Sequence, residues 1–388
     1  MTVRAAQLPL TLLTFALAMF AGQIATAEYV GFGSVTQGAN DCPSGSPQSY
    51  HVTNLNDSGA GSFRDATSTG CRYIVFDVGG SIDLTSTLRI SESYITIDGS
   101  TAPSPGITLN VPGQRLVLEA KSRIAVHDII INNIRAVGDG IKIETKDIWE
   151  LDGSSGAPIF NIILDHLTMT ASGDGSVDMY GDVYNVTLSN SLLTDNLVSQ
   201  HYSESSTSRD GITVYRNVYA RNNERQPKIR YQTTRVDFVN NVIYGWGWIE
   251  GGAAGLTLQI GGSQYSPSGN IENNIHHYVP GLHGSENDGL KIDGTLYGDW
   301  YFSGNEWPPA ETDAISTSGP VPIPAEFKVS RLPVSALADS VVPCVGTHFP
   351  TASEIDLLRT ISQAIGGSGE SCAPAGPGPK PPTGLRAN

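Results

Sequence analysis

The sequence predicts an all-β chain wound into a coil of stacked strands, and three observations lead there. Short β-branched segments recur with turn residues between them, helix-like apolar stripes are almost absent before residue 350, and 43 glycines accompany an apolar content of 39% in 388 residues. One strand ending also repeats: Ile-Ile-Ile-Asn132-Asn133, Ile-Ile-Leu-Asp165-His166, Val-Thr-Leu-Ser189-Asn190, Thr-Val-Tyr-Arg216-Asn217, Asp-Phe-Val-Asn240-Asn241 and Ile-Glu-Asn273-Asn274. The last members lie 33, 24, 27, 24 and 33 residues apart. A period of that size with no helix between strands marks a solenoid in which each coil of chain is one rung. Asparagine suits the bend because it tolerates left-handed backbone geometry better than other side-chain-bearing residues, and stacked amides can hydrogen-bond from rung to rung. His166 interrupts the column and is expected to pack there as a ladder substitute.

Taken in order, residues 1–27 read as a secretory signal. Arg4 supplies the positive start, Leu8 to Phe20 are largely apolar, and Ala25-Thr26-Ala27 offers small residues for cleavage before Glu28. Residues 28–372 read as one elongated domain. Its segment 28–72 forms an entry and cap, and Tyr73–Val78, Thr87–Ile90 and Tyr94–Asp98 form the first rungs. A cap is needed because an open coil end exposes unpaired strand groups. At the far end Thr351 and Glu354 make a capping box ahead of Ile355, Leu357, Leu358, Ile361 and Ile365, and Gly366-Gly367 is the stop, which predicts one short helix. The Pro- and Gly-rich tail 373–388 has too little apolar content to pack. Of the three ways to pair four cysteines, an exported chain favours Cys42–Cys71 and Cys344–Cys372, a staple at each end; no CxxC spacing supports metal ligation instead. The formal charge of −15 argues against nucleic acid or an anionic membrane as general partners. The chain is expected to be secreted and monomeric.

Three carboxylates stand out, Asp152 and the pair in Asp174-Gly175-Ser176-Val177-Asp178. Rung stacking would gather them into an acidic pocket, and clustered oxygen ligands suit a hard cation such as calcium. Taken alone, two aspartates around a turn are more simply backbone caps. The balance shifts with residues 216–235, which hold Arg216, Arg221, Arg225, Lys228, Arg230 and Arg235 against Glu224. On so acidic a chain a local net charge of +5 reads as a site for polyanion carboxylates.

Arg225-Gln226-Pro227-Lys228-Ile229-Arg230 fits the Arg-x-Pro-x-x-Arg signature, and Asp165-His166 the Asp-His signature, of the pectate lyases of polysaccharide lyase family 1, which the chain resembles from about Gly31 to Ser371. The segments Val52–Ser62 and Ile74–Ser81, and the Asp-x-x-x-Asp element between the two signatures, add to the likeness. The resemblance implies a right-handed single-stranded parallel β-helix with terminal caps. It implies a secreted, calcium-dependent lyase that cuts de-esterified polygalacturonate by β-elimination between C4 and C5. Asp152, Asp174 and Asp178 would be the calcium ligands, Asp152 being assigned from its 13-residue distance to Asp165. Arg225 matches the base and Arg230 the arginine that contacts a substrate carboxylate, with Lys228 and His201 as further substrate contacts.

Two positions depart from the family pattern. Ile163 stands where a tryptophan is usual, two residues before Asp165. The rung before the Arg-x-Pro motif often supplies a lysine, yet no Lys occurs from Asp147 to Pro227; Gln200, His201 and Arg209 are the candidates for that space, His201 foremost. The alternatives are a pectin lyase, a polygalacturonase using acidic residues around water on the same coil, and an inactive β-helix that only binds polyuronate.

Overall fold

The computed structural model describes residues 29–121, 124–138, 148–202, 208–247, 255–259, 265–293, 295–309 and 316–372. The expected signal 1–27 and tail 373–388 lie outside them. The strands form three parallel sheets, one of ten strands and two of eight, which the chain visits in turn. A coil runs, for example, from Trp149–Gly153 through Ile159–Asp165 and Thr168–Thr170 to Val177–Gly181, which pairs in parallel with Trp149–Gly153. The fold is a parallel β-helix of about eight coils, as the repeat spacing predicts.

Strand alternation decides what fills it, because successive side chains point to opposite faces. In the ten-stranded sheet Ile74, Ile97, Ile131, Leu164, Leu188, Val214, Phe238, Ile271 and Phe302 are in register from rung to rung. All are buried in one apolar cluster running the length of the coil. Rungs are ~4.8 Å apart, so like side chains stack at van der Waals distance, each burial worth roughly 1.5–3 kcal/mol.

The asparagine column resolves into two columns one residue apart. The left-handed bend falls on Asn133, His166, Asn190, Arg216, Asn240 and Asn273, with φ between 49° and 56°. The amide ladder falls on the residue after the last three of these, Asn217, Asn241 and Asn274, and continues to Asn305. Oδ1 of Asn241 accepts from both the backbone N–H and Nδ2 of Asn217, Asn274 does the same for Asn241, and Asn305 for Asn274. His166 therefore occupies a bend position, and its Nδ1 lies 2.6 Å from Oδ2 of Asp165. Burial works against charge on both groups, but their mutual attraction outweighs it and holds the Asp165 carboxyl below, and the His166 imidazole above, its ordinary range.

The first coil is capped, and the C-terminal helix covers the side of one sheet. Phe63 and Ala66 of the short helix Phe63–Ala66 are fully buried in the cluster beside Phe76. The segment around Phe32 and Gly33 lies across the ten-stranded sheet, donating backbone N–H groups to Thr213 and Thr187. The helix Ala352–Ala364 starts at the predicted capping box and packs Leu357, Leu358 and Ile361 on Leu192, Val218, Val242 and Ile275 of the sheet that begins with Gly80–Asp83. Ile355, expected on the same apolar face, is exposed. Cys42–Cys71 and Cys344–Cys372 are both bonded. No helix among the described residues is long and apolar enough to cross a membrane.

Candidate functional site

The second eight-stranded sheet gathers the candidate residues. Its strands include Trp149–Gly153, Val177–Gly181, Gln200–Tyr202 and Lys228–Arg230 in that order. Trp149, Leu151, Val177, Met179, Tyr202 and Ile229 fill the interior. Alternation then places Glu150, Asp152, Asp178, Tyr180, His201, Lys228 and Arg230 on the outer face. Glu150, Asp178, His201 and Lys228 are directly in register, so two carboxylates, an imidazole and an ammonium from four coils form a single row.

Asp178 is held tightly. Its Oδ1 accepts from the backbone N–H of His201 at 2.8 Å and its Oδ2 from the Tyr180 hydroxyl at 3.2 Å, and the side chain is fully buried. Gly175 makes room for it: a Cβ there would stand 2.1 Å from Oδ1 of Asp178. The glycine of Asp174-Gly175-Ser176-Val177-Asp178 thus serves close approach of the turn to the carboxylate. Asp174 sits in that turn. Burial pushes its carboxyl up and Glu224 adds to this, against the opposing charges of Arg225 and Arg115.

Asp152 stands two residues along the strand from the register row, opposite Tyr180. Its Oδ1 accepts from the backbone N–H of Ser154 at 2.9 Å and from the Ser154 hydroxyl, an aspartate closing its own turn. The carboxylate directly beside Asp178 is Glu150, paired with Arg115 from the preceding coil. Among the described residues no group of three or more His, Cys, Asp or Glu side chains is assembled to hold a metal ion. The chemistry of the donors nonetheless fits a hard divalent cation that takes the rest of its shell from outside the protein. Asp174 and Asp178 supply carboxylate oxygens at one turn, and the burial that raises the Asp174 carboxyl is a cost a nearby cation would offset.

The cations lie on the other side of the row. Arg225 adopts a left-handed backbone (φ 62°) before the cis Gln226–Pro227 bond, and its Nε is 3.1 Å from Oε1 of Glu224. The guanidinium of Arg230 lies over the Tyr231 ring at 4.5 Å, donates from Nη2 to the Tyr231 hydroxyl at 2.6 Å, and places Nη1 3.2 Å from Nε2 of His201. Its Nε is buried with no hydrogen-bond partner among the described residues. Beneath them Arg209 is fully buried, donating from Nε to Thr233 and from Nη1 to the carbonyl of Gly181. Burial and then Arg230 lower its pKa, to about 10, against the pull of Asp182. Burial, followed by Arg225, Arg230, Lys228 and Arg209, depresses His201 to about 3, so its imidazole is neutral.

Not all of the basic segment belongs here. Arg221 pairs with Asp195, Arg235 with Asp210, and Arg216 lies over Tyr215 at a bend. Arg225, Lys228 and Arg230 are the three that join the groove. The structure adds Glu150, Arg115, Tyr180 and Tyr231 to the site, together with Glu224, the lone acid of the basic segment. Glu150 carried a usable signal, since it lies two residues before Asp152 and so shares its face of a strand. A separate cavity of about 440 Å³, lined by His166, His348 and the segment around Cys344–Cys372, includes none of the groove residues.

No family model matches the chain. Among curated proteins it is similar to the probable pectate lyase C of Aspergillus flavus, 33% identical over 295 residues covering 70% of this chain and 66% of that protein. The probable pectate lyase C of Aspergillus oryzae is 34% identical over 270 residues, covering 64% of this chain and 60% of that protein. The chain thus spans 66% and 60% of the length of these two relatives. Among solved structures, the major allergen of cedar pollen superposes with a TM-score of 0.63 at 16% identity, covering 82% of this chain and 92% of that one. A pectate lyase of Bacillus sp. N165 in complex with trigalacturonate gives 0.53 at 17%, covering 82% and 98%. At such identities the solved structures speak to the fold.

Proposed function

We propose that this chain, similar to curated proteins named probable pectate lyase C, is a secreted, calcium-dependent pectate lyase cutting de-esterified polygalacturonate by β-elimination. The observation that carries this reading is the register row joining Glu150 and Asp178 to His201 and Lys228 on one outer face, with Arg225 and Arg230 alongside. Export is supported by the apolar leader ahead of Glu28 and by the two disulfides.

Asp174 and Asp178, with Asp152 on the same face, would hold calcium. Bound there, the ion supplies Lewis-acid withdrawal of charge from the substrate carboxylate. Arg230 and Lys228 bind uronate carboxylates, Arg230 through a guanidinium already oriented by Tyr231 and His201. In the reaction the electron pair of the C5–H bond becomes the C4–C5 double bond as the C4–O bond breaks. Arg225, in its deprotonated form, takes the C5 proton, and water protonates the departing oxygen. A guanidine is a base only without its proton, so turnover rises with alkalinity.

The test is an assay on polygalacturonate and on methylated pectin, with calcium and with excess chelator. The expected result is ultraviolet-absorbing unsaturated ends from polygalacturonate in calcium, abolished by chelator and by Arg225→Lys, which still binds the polymer. Rising reducing ends without that absorbance would mean hydrolysis. Binding without any product would mean a polyuronate-binding β-helix.

A further inference from the structure

The row contains a residue whose role follows from hydrogen-bond bookkeeping alone. Arginine carries five N–H donors and no acceptor. Nη1 of Arg230 is 3.2 Å from Nε2 of His201, so this contact is a hydrogen bond only if Nε2 accepts and the imidazole carries its proton on Nδ1. A ring nitrogen accepting from Arg230 is not simultaneously a donor to a substrate carboxylate.

Arg230 has a second restraint on the other side, where the Tyr231 hydroxyl accepts from Nη2 at 2.6 Å and the Tyr231 ring lies 4.5 Å beneath the guanidinium. His201 is itself fixed from below. Its backbone N–H donates to Asp178 at 2.8 Å, its strand is in register with both Asp178 and Lys228, and its side chain is 8% exposed. The guanidinium is therefore clamped at both Nη atoms, while its buried Nε stays without a partner among the described residues.

We infer that His201 is a positioning residue: its Nε2, opposite Tyr231, fixes the Arg230 guanidinium over the groove for a substrate carboxylate. The inference rests on the reading of Arg230 as a carboxylate-binding residue.

The experiment is a double-mutant cycle read by calorimetric titration of trigalacturonate in calcium. His201→Ala is expected to weaken affinity about tenfold in the wild-type background, the range of a hydrogen bond to a charged group, and less than about twofold in an Arg230→Ala background. His201→Gln, which keeps an acceptor near the Nε2 position, is expected to stay within about twofold of wild type. All of these keep the backbone N–H that Asp178 accepts, and thermal unfolding of each variant checks the fold. Equal losses from His201→Ala in both backgrounds would make His201 an independent contact and overturn the inference. Wild type that binds trigalacturonate but releases no unsaturated product would remove the lyase reading and leave this cycle decisive; wild type that does not bind would remove both.

Discussion

A methyl group on Gly175 would stand 2.1 Å from Oδ1 of Asp178 and 2.2 Å from its Cγ, closer than any relaxed contact allows. Asp178 cannot retreat without giving up the His201 N–H and the Tyr180 hydroxyl. Gly175→Ala should thus displace a carboxylate of the groove while leaving the coil intact, because the strand Val177–Gly181 keeps its backbone ladder on both sides. Shifts of this size at a reacting centre cost on the order of 100-fold in rate. The expected outcome is a loss of that order in turnover of polygalacturonate, with a raised calcium requirement and unchanged circular dichroism. A variant with wild-type turnover would show that Asp178 is not part of the working site. At this scale the sequence was legible where a motif is contiguous: Asp174 and Asp178, and Arg225, Lys228 and Arg230, come to one groove. It was less legible where position depends on register. A 13-residue distance picks out Asp152 but cannot say which residue of its strand faces Asp178, and pairing puts Glu150 there. His201 was expected as a substrate contact because of its place in the chain; that its Nε2 turns to Arg230 depends on a neighbour 29 residues away.

The bend between the ten-stranded sheet and its neighbour shows how one short motif can hide two jobs. Asn133, His166 and Asn190 are left-handed, and so are Arg216, Asn240 and Asn273, the first members of their pairs. Reading the second member throughout merges the bend with the amide ladder. The two are separable only in space, because Arg216 at a bend has none of the amide character that flags the position. The ladder residues carry more of the stability. Asn241 is fully buried, accepts two bonds from Asn217, and donates from Nδ2 toward Asn274 Oδ1 and the carbonyl of Val214. Asn241→Ala strands the Asn217 amide, whose Nδ2 keeps only the carbonyl of Leu188. Leaving buried groups unsatisfied costs ~1–3 kcal/mol each, so a loss of about 3 kcal/mol is expected in urea unfolding. Asn110→Ala serves as the control, since that residue only reaches Asp83 near the surface and should cost under about 0.5 kcal/mol. Equal costs at the two sites would mean the ladder is decorative.

Across the whole molecule, the candidate site and the C-terminal cover sit on different sheets. The groove occupies the sheet containing Trp149–Gly153 and Lys228–Arg230, whereas the C-terminal helix Ala352–Ala364 covers the sheet containing Leu192–Thr194 and Val218–Asn222. That cover is attached three ways. Leu357, Leu358 and Ile361 bury against the sheet, Glu354 pairs with buried Arg135 at 2.6 Å while also closing the helix capping box, and Cys344–Cys372 ties the segment after the helix to the one before it. A solenoid unravels from whichever end is least supported, since each rung contacts only its neighbours and its cover. Closing a loop of 28 residues stabilises by about 3.5 kcal/mol on the chain-entropy account. The double variant Cys344→Ser/Cys372→Ser should therefore lower the free energy of unfolding by about 3 kcal/mol, read as a lower urea midpoint with little change in slope. Its turnover at 25 °C should remain that of the wild type, because the helix packs on a different sheet from the groove. A variant that keeps its urea midpoint but loses activity would reverse this division and place the C-terminal cover in the service of the groove.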